Sequence, residues 1–149
     1  MKKFSVLTPM AVMALFLAAA NAVQAEEINM PGMRCIAKLT NPQGGFYALN
    51  HFRFSEKGGV LVIAIRAKVV NRGEYNAFKL STESLDGLDF LMFWGDDVEV
   101  VQKSTRIYFS TQANFSVDVR LTKKDGLFTL RGEYTSRGWT GKVEDGICK

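Results

Sequence analysis

Apolar and polar positions alternate along this chain in short runs, and turn signals separate the runs. "NPQGG" at 41–45, "EKGG" at 56–59, "NRGE" at 71–74, "GDD" at 95–97, "KKDG" at 123–126 and "SRG" at 136–138 punctuate stretches rich in Val, Ile, Phe, Tyr and Thr. A period of two bounded by Gly, Asn and Asp predicts β-strands with one buried face. No run sustains a helical period, and "STESLDGL" at 81–88 would give a turn or two at most.

The pattern is regular enough to suggest registers. Across "KKDG", setting Thr122 against Leu127 brings Leu121 to Phe128, Val119 to Leu130, Val117 to Gly132 and Phe115 to Tyr134 on one face. The other face then pairs Asp118 with Arg131, an opposite-charge contact. Across "EKGG" the same exercise sets Phe54 against Leu61 and Phe52 against Ile63. Across "NRGE" it sets Ala67 against Phe78 and Ile65 against Leu80. Further strands are expected at 34–39, 89–94, 97–102, 105–111 and 138–144. The expected fold is therefore all-β, an antiparallel meander of about eight to ten strands with one apolar face each.

Two cysteines bear on the choice between a closed barrel and a sandwich. Cys35 and Cys148 lie near opposite ends of the chain. In an open meander the first and last strands are far apart, yet a disulfide needs Cα atoms within about 7 Å. A Cys35–Cys148 bridge would bring the terminal strands together, as in a small closed up-and-down barrel. A β-sandwich is the alternative, since it too can bring its ends together.

The start of the chain supplies the oxidising compartment this bridge requires. "MKKFSVLTPMAVMALFLAAANAVQA" has a Lys2-Lys3 head, an Ala/Leu/Met-rich run and small residues at 23–25. That is the pattern of a secretory signal peptide over 1–25, leaving 26–149 as one β-barrel-like domain. The short, Lys-led signal points to a bacterial protein located in the periplasm or outside the cell, where thiol pairs oxidise. No stretch in 26–149 is expected to span a membrane. Losing Lys2 and Lys3 lowers the formal charge from +4 to +2, too small a balance for nucleic-acid binding.

The candidate chemistry is sparse. "DFLMFWG" at 89–95 breaks the alternation: Phe90, Met92 and Trp94 face one way, and Leu91 and Phe93 the other. Either a neighbouring turn covers the outer set, or the run is an aromatic surface for an apolar ligand or a protein partner. The registers above also assemble a basic strip. Arg66 falls opposite Lys79, with Lys68 two residues along, Arg53 one strand over and Tyr47 beside Lys68, a surface suited to an anionic partner. Asn50 points with Phe52 to the core, where an amide needs hydrogen bonds. Trp139, flanked by Gly138 and Gly141, is expected to plug one end near the bridge.

Catalytic signatures are missing from the sequence. His51 is the chain's one imidazole, is expected on the polar face opposite Ala64, and has no nucleophile motif near it. Asp96-Asp97 and the pair Asp86 and Asp89 match no calcium-loop spacing and read as turn residues. Two cysteines fall short of a structural zinc site, and no cofactor is implied. The expectation is an exported, non-enzymatic binding protein for a small apolar ligand or a protein partner, inhibitor-like in build. A structural subunit of an envelope assembly is the alternative, with a carboxylate-dependent hydrolase behind it.

Overall fold

In a computed structural model, residues 28–149 are described apart from 42, 44, 88, 89 and 91, with the backbone alone at 87, 92, 93 and 145. The expected signal peptide lies outside the described residues. Among the described residues there are nine strands: β1 Arg34–Asn41, β2 Phe46–Lys57, β3 Val60–Val69, β4 Met92–Glu99, β5 Val101–Lys103, β6 Arg106–Ser110, β7 Phe115–Lys124, β8 Leu127–Ser136 and β9 Trp139–Cys148. Two short helices, α1 Arg72–Ala77 and α2 Ser84–Gly87, interrupt the meander between β3 and β4. All strands join one sheet, in the order β4-β3-β2-β1-β9-β8-β7-β6-β5, and every pairing is antiparallel.

Three hairpins close through turns of two residues, Gly58-Gly59, Asp125-Gly126 and Arg137-Gly138. In each, both residues have positive φ. That mirror-image turn matches the right-handed twist of paired strands, which is why Gly sits second in all three. The tightness of these turns corrects the expected registers. Lys124, not Thr122, lies opposite Leu127, so Leu121 meets Leu130 and Val117 meets Tyr134. Likewise Lys57 pairs with Val60 and Phe52 with Ile65. Each register slips by two residues, an even number, so every side chain keeps its expected face.

Slippage does change the charge partners. Asp118 lies opposite Glu133, and Arg131 opposite Arg120. Asp118 takes its counter-ion from the other neighbouring strand, accepting from Arg106 Nε at 2.9 Å. The Arg106 guanidinium holds the Asp118 carboxyl below the usual carboxylate range.

The "NRGE" hairpin does not form. Asn71 is an N-cap whose Oδ1 accepts from the Glu74 backbone N–H at 2.7 Å, starting α1. Strand β3 pairs instead with β4, with Ala67 opposite Met92 and Ile63 opposite Val98. Helices α1 and α2 therefore lie over the outer face of the sheet. Tyr75, from α1, packs against Leu49 and Val70 with Tyr47, Phe78 and Phe90 around them. Its hydroxyl donates to Glu144 on β9 at 3.1 Å, and Arg34 on β1 pairs with Asp86 at 2.8 Å.

The other face holds the main core: Cys35, Leu39, Phe52, Phe54, Ile63, Ile65, Ile107, Phe109, Phe115, Val119, Leu130 and Val143 are all nearly inaccessible to water. Rings meet across it, with Phe52 and Phe109 centroids 6.0 Å apart. The first and last strands pair, and Cys35 is bonded to Cys148 across them, with Cα atoms 4.1 Å apart. Met30 fills the core beside this bridge and is 1% exposed. It is held there by backbone bonds from Met33 to Met30 (2.9 Å) and from Gly32 to Phe54 (2.9 Å). Among the described residues no helix is long and apolar enough to cross a membrane.

Candidate functional site

Opposite the disulfide, the strand ends carry aromatic residues rather than a plug. Phe46 begins β2, Trp94 lies early in β4, Tyr134 and Ser136 end β8, Arg137 is in the turn and Trp139 begins β9. With Asn41, the last residue of β1, they line a recess of about 470 Å³.

The local sequence explains how these side chains converge. On β8 the even-numbered residues face the core, so Tyr134 points inward near the rim and stands over Phe115 and Phe46, with centroids 6.0 and 6.5 Å away. Gly141, one strand across from Tyr134, makes this possible. A Cβ there would collide with the tyrosine ring and with the Thr40 carbonyl oxygen. Trp94 stacks on Phe115 with centroids 4.8 Å apart and planes 23° from parallel. Trp139 follows the Arg137-Gly138 turn and is 53% exposed. That turn is tied across the rim by the Arg137 N–H, which donates to the Asn114 carbonyl at 3.2 Å.

Polar groups in the recess are unusual in their partners. Trp94 Nε1 and Tyr134 Oη are shielded from water, yet neither has a hydrogen-bond partner. Burial pushes the Tyr134 phenol up to about 12, so it keeps its proton at neutral pH. Asn41 Oδ1 accepts from the Gln43 N–H at 2.9 Å. Arg137 is exposed, and no Asp or Glu lines the recess.

A second concavity, about 400 Å³, lies on the outer face and is lined by His51, Arg53, Ser55, Lys57, Ala64, Arg66, Asp96 and Asp97. Arg53 is directly opposite Arg34 on β1 and Ala64 on β3. His51 is opposite Arg66, not Ala64 as the sequence register had it. Phe90 stacks on the imidazole at 5.3 Å. Burial, then the charges of Arg34, Arg66 and Arg53, lower the His51 pKa below its usual value, while Asp86 opposes them. Lys57 is paired with Asp97, so the net positive charge of this groove is small.

The residues singled out from the sequence are thus dispersed. Trp94 reaches the recess, and Arg53 and Arg66 share the outer groove. Tyr47 packs against Tyr75 with centroids 5.0 Å apart and planes tilted by 59°, and Lys68 pairs with Glu74 at 3.7 Å. Lys79 follows α1 rather than facing Arg66, and its carbonyl accepts from Ser84 Oγ at 3.4 Å. Phe90 packs into the outer cluster under α1 while Trp94 packs against the main core, so these two do not share a surface. Leu91, like Asp89, lies outside the described residues. Met92 and Phe93 are placed on β4 opposite Ala67 and Arg66. Trp139 is at the far end of β9 from Cys148, correcting its expected place beside the bridge. Asn50 does face the core, fully buried, but neither polar atom of its amide has a partner.

Sequence reasoning missed Asn41, Phe46, Tyr134 and Arg137. The available signal was positional: Phe46, Tyr134 and Trp139 each stand within three residues of a turn, near the end of a strand. Comparison with known proteins gives no match to any family model, curated protein or solved structure.

Proposed function

We propose that this is an exported, non-enzymatic binding protein whose sheet closes into a barrel and holds a small apolar ligand in the recess at one end. Closure is supported by the chain itself. Strands β4 and β5 stand at opposite ends of the strand order, yet Val100 alone separates them. The Val100 N–H donates to Leu61 on β3 at 2.9 Å, while the next residue, Val101, pairs with Tyr108 on β6. One bent strand thereby serves both edges. Edges joined in this way leave fewer unpaired backbone groups. Export accords with the Cys35–Cys148 bridge, because such bonds persist in oxidising compartments.

The observation that carries the ligand reading is the contrast between the two ends. A concavity of about 420 Å³ at the disulfide end has a mixed lining that includes Met30, Glu56 and Gln102, whereas four aromatic side chains at the other end surround about 470 Å³. An apolar recess with a few polar groups is the usual form of a small-molecule site.

The chain has two tryptophans, and both line this recess. Intrinsic fluorescence is therefore a local reporter. Titration with the neutral probe N-phenyl-1-naphthylamine should quench it saturably, and Trp139→Ala should weaken binding by about tenfold, the value of an aromatic contact and its buried area. Trp139 is half exposed, so this variant keeps its fold. Absence of saturable binding, or binding indifferent to Trp139→Ala, would remove the recess as the site.

A further inference from the structure

Two shielded polar atoms and one cationic side chain in the lining of the recess specify more than apolarity. An indole N–H can only donate, and so can a guanidinium. Tyr134, protonated at neutral pH, adds a third donor. Trp94 Nε1 and Tyr134 Oη are buried in the walls with no acceptor, and Tyr134 as a whole is 2% exposed. Buried donors without partners are costly, so an acceptor admitted between the rings recovers that cost. Arg137 has no ion-pair partner among the described residues. It stands on a two-residue turn with φ 49°, tied to Asn114, so its side chain starts from a fixed point on the rim.

We propose that the ligand is an amphipathic monocarboxylate, with an aromatic body among Phe46, Trp94, Tyr134 and Trp139 and a carboxylate at Arg137. This deepens the reading of the recess as a ligand site and rests on it. A carboxylate matches the guanidinium fork with two parallel bonds and one charge. A phosphate dianion would want a second cation, and none lines the recess. An ammonium head would meet the positive charge of Arg137. Trp94 and Tyr134 are reached by a small parting of the rim rings, among which Trp139 is the exposed one.

The test uses the full exported chain with its disulfide intact and three probes sharing one ring system: 2-naphthoate, 2-naphthalenemethanol and 2-naphthylmethylammonium, measured by titration calorimetry. Naphthoate should bind about tenfold or more tightly than the alcohol, as expected of one charge-assisted contact, and the ammonium most weakly. Arg137→Asn removes the charge while tolerating a left-handed backbone. It should abolish the preference for naphthoate, lowering naphthoate's affinity about tenfold more than the alcohol's. Equal binding of naphthoate and alcohol, or a preference that survives Arg137→Asn, would overturn the carboxylate assignment while leaving an apolar site. Failure of all three probes would overturn the site itself.

Discussion

Replacing both cysteines with alanine should cost this fold about 4–5 kcal/mol while leaving its strand order intact. Cys35 and Cys148 are separated by 113 positions, so the bridge ties nearly the whole described chain into one loop. In the chain-entropy account, a closed loop of about 100 residues restricts the unfolded ensemble by about 4.7 kcal/mol at 25 °C. The native state has little to set against this. The flanking residues Arg34 and Lys149 exchange both backbone hydrogen bonds, at 3.0 and 2.9 Å, which makes Cys35 and Cys148 a non-hydrogen-bonded pair. That is the site in an antiparallel ladder where Cα atoms approach most closely, and theirs are 4.1 Å apart. Without the bridge, β1 and β9 still pair from Ile36 with Ile147 to Thr40 with Lys142.

The assay is urea unfolding of three samples: oxidised protein, reduced protein and Cys35→Ala/Cys148→Ala. The last two should be destabilised alike, with a steeper dependence on urea because the unlinked unfolded chain exposes more surface. At about 4 °C per kcal/mol, the melting temperature should fall by about 16–20 °C. Both cysteines are at most 1% exposed, so reduction of the folded protein should be slow and should accelerate steeply with urea. A loss below about 1 kcal/mol with an unchanged urea slope would contradict the argument, because it would mean that the unfolded chain already keeps its ends together.

Two further perturbations address buried polar groups. Asn50→Leu replaces a fully buried amide whose two polar atoms lack partners with an apolar group of similar size, and should raise stability by about 1–2 kcal/mol in chemical denaturation; a loss of that size would mean that the amide is hydrogen-bonded within the fold. His51 has a lowered pKa when folded, so between that value and about 6.5 the unfolded chain binds more protons and stability falls as pH falls; His51→Gln should flatten melting temperature against pH over that window, and an unaltered slope would show that other groups govern it.

The faces of this sheet were legible in its sequence, and its registers were not. Parity needs only a period of two, so Phe52, Ile65, Val117 and Tyr134 read correctly as core residues. Register depends on how many residues a turn consumes. "KKDG" and "EKGG" look like four-residue loops because their first two positions are charged. In the structure those charged positions extend the strands, and only Asp125-Gly126 and Gly58-Gly59 turn. "NRGE" failed for a different reason: Asn followed by Glu three residues later signals a helix start as well as a turn, and α1 is the outcome. The disulfide was legible because compartment and cysteine count leave few pairings. The recess was not, since its lining comes from β1, β2, β4, β8 and β9, and no local window holds more than four of its residues.

Two of the shielded polar atoms without partners belong to residues that line the recess, and the packing around them differs from that at the disulfide end. The disulfide end is packed with Met30, Phe54 and the two cysteines, and of these groups none is an orphaned donor or acceptor. In the recess Trp94 Nε1 and Tyr134 Oη are both unpartnered, as are the Asn50 amide and His51 Nε2 elsewhere among the described residues. Conventional core residues could have filled these positions: a Phe at 134 would pack against Phe46 and Phe115 without burying a hydroxyl. Sequences that specify one fold consistently break local rules mainly where function requires it. Gly141 makes the same point from the backbone, because it gives up a side chain so that the Tyr134 ring can occupy that place. The recess therefore goes against the packing preference of the fold, and on the reading proposed above a ligand bearing an acceptor would supply the interaction that preference lacks.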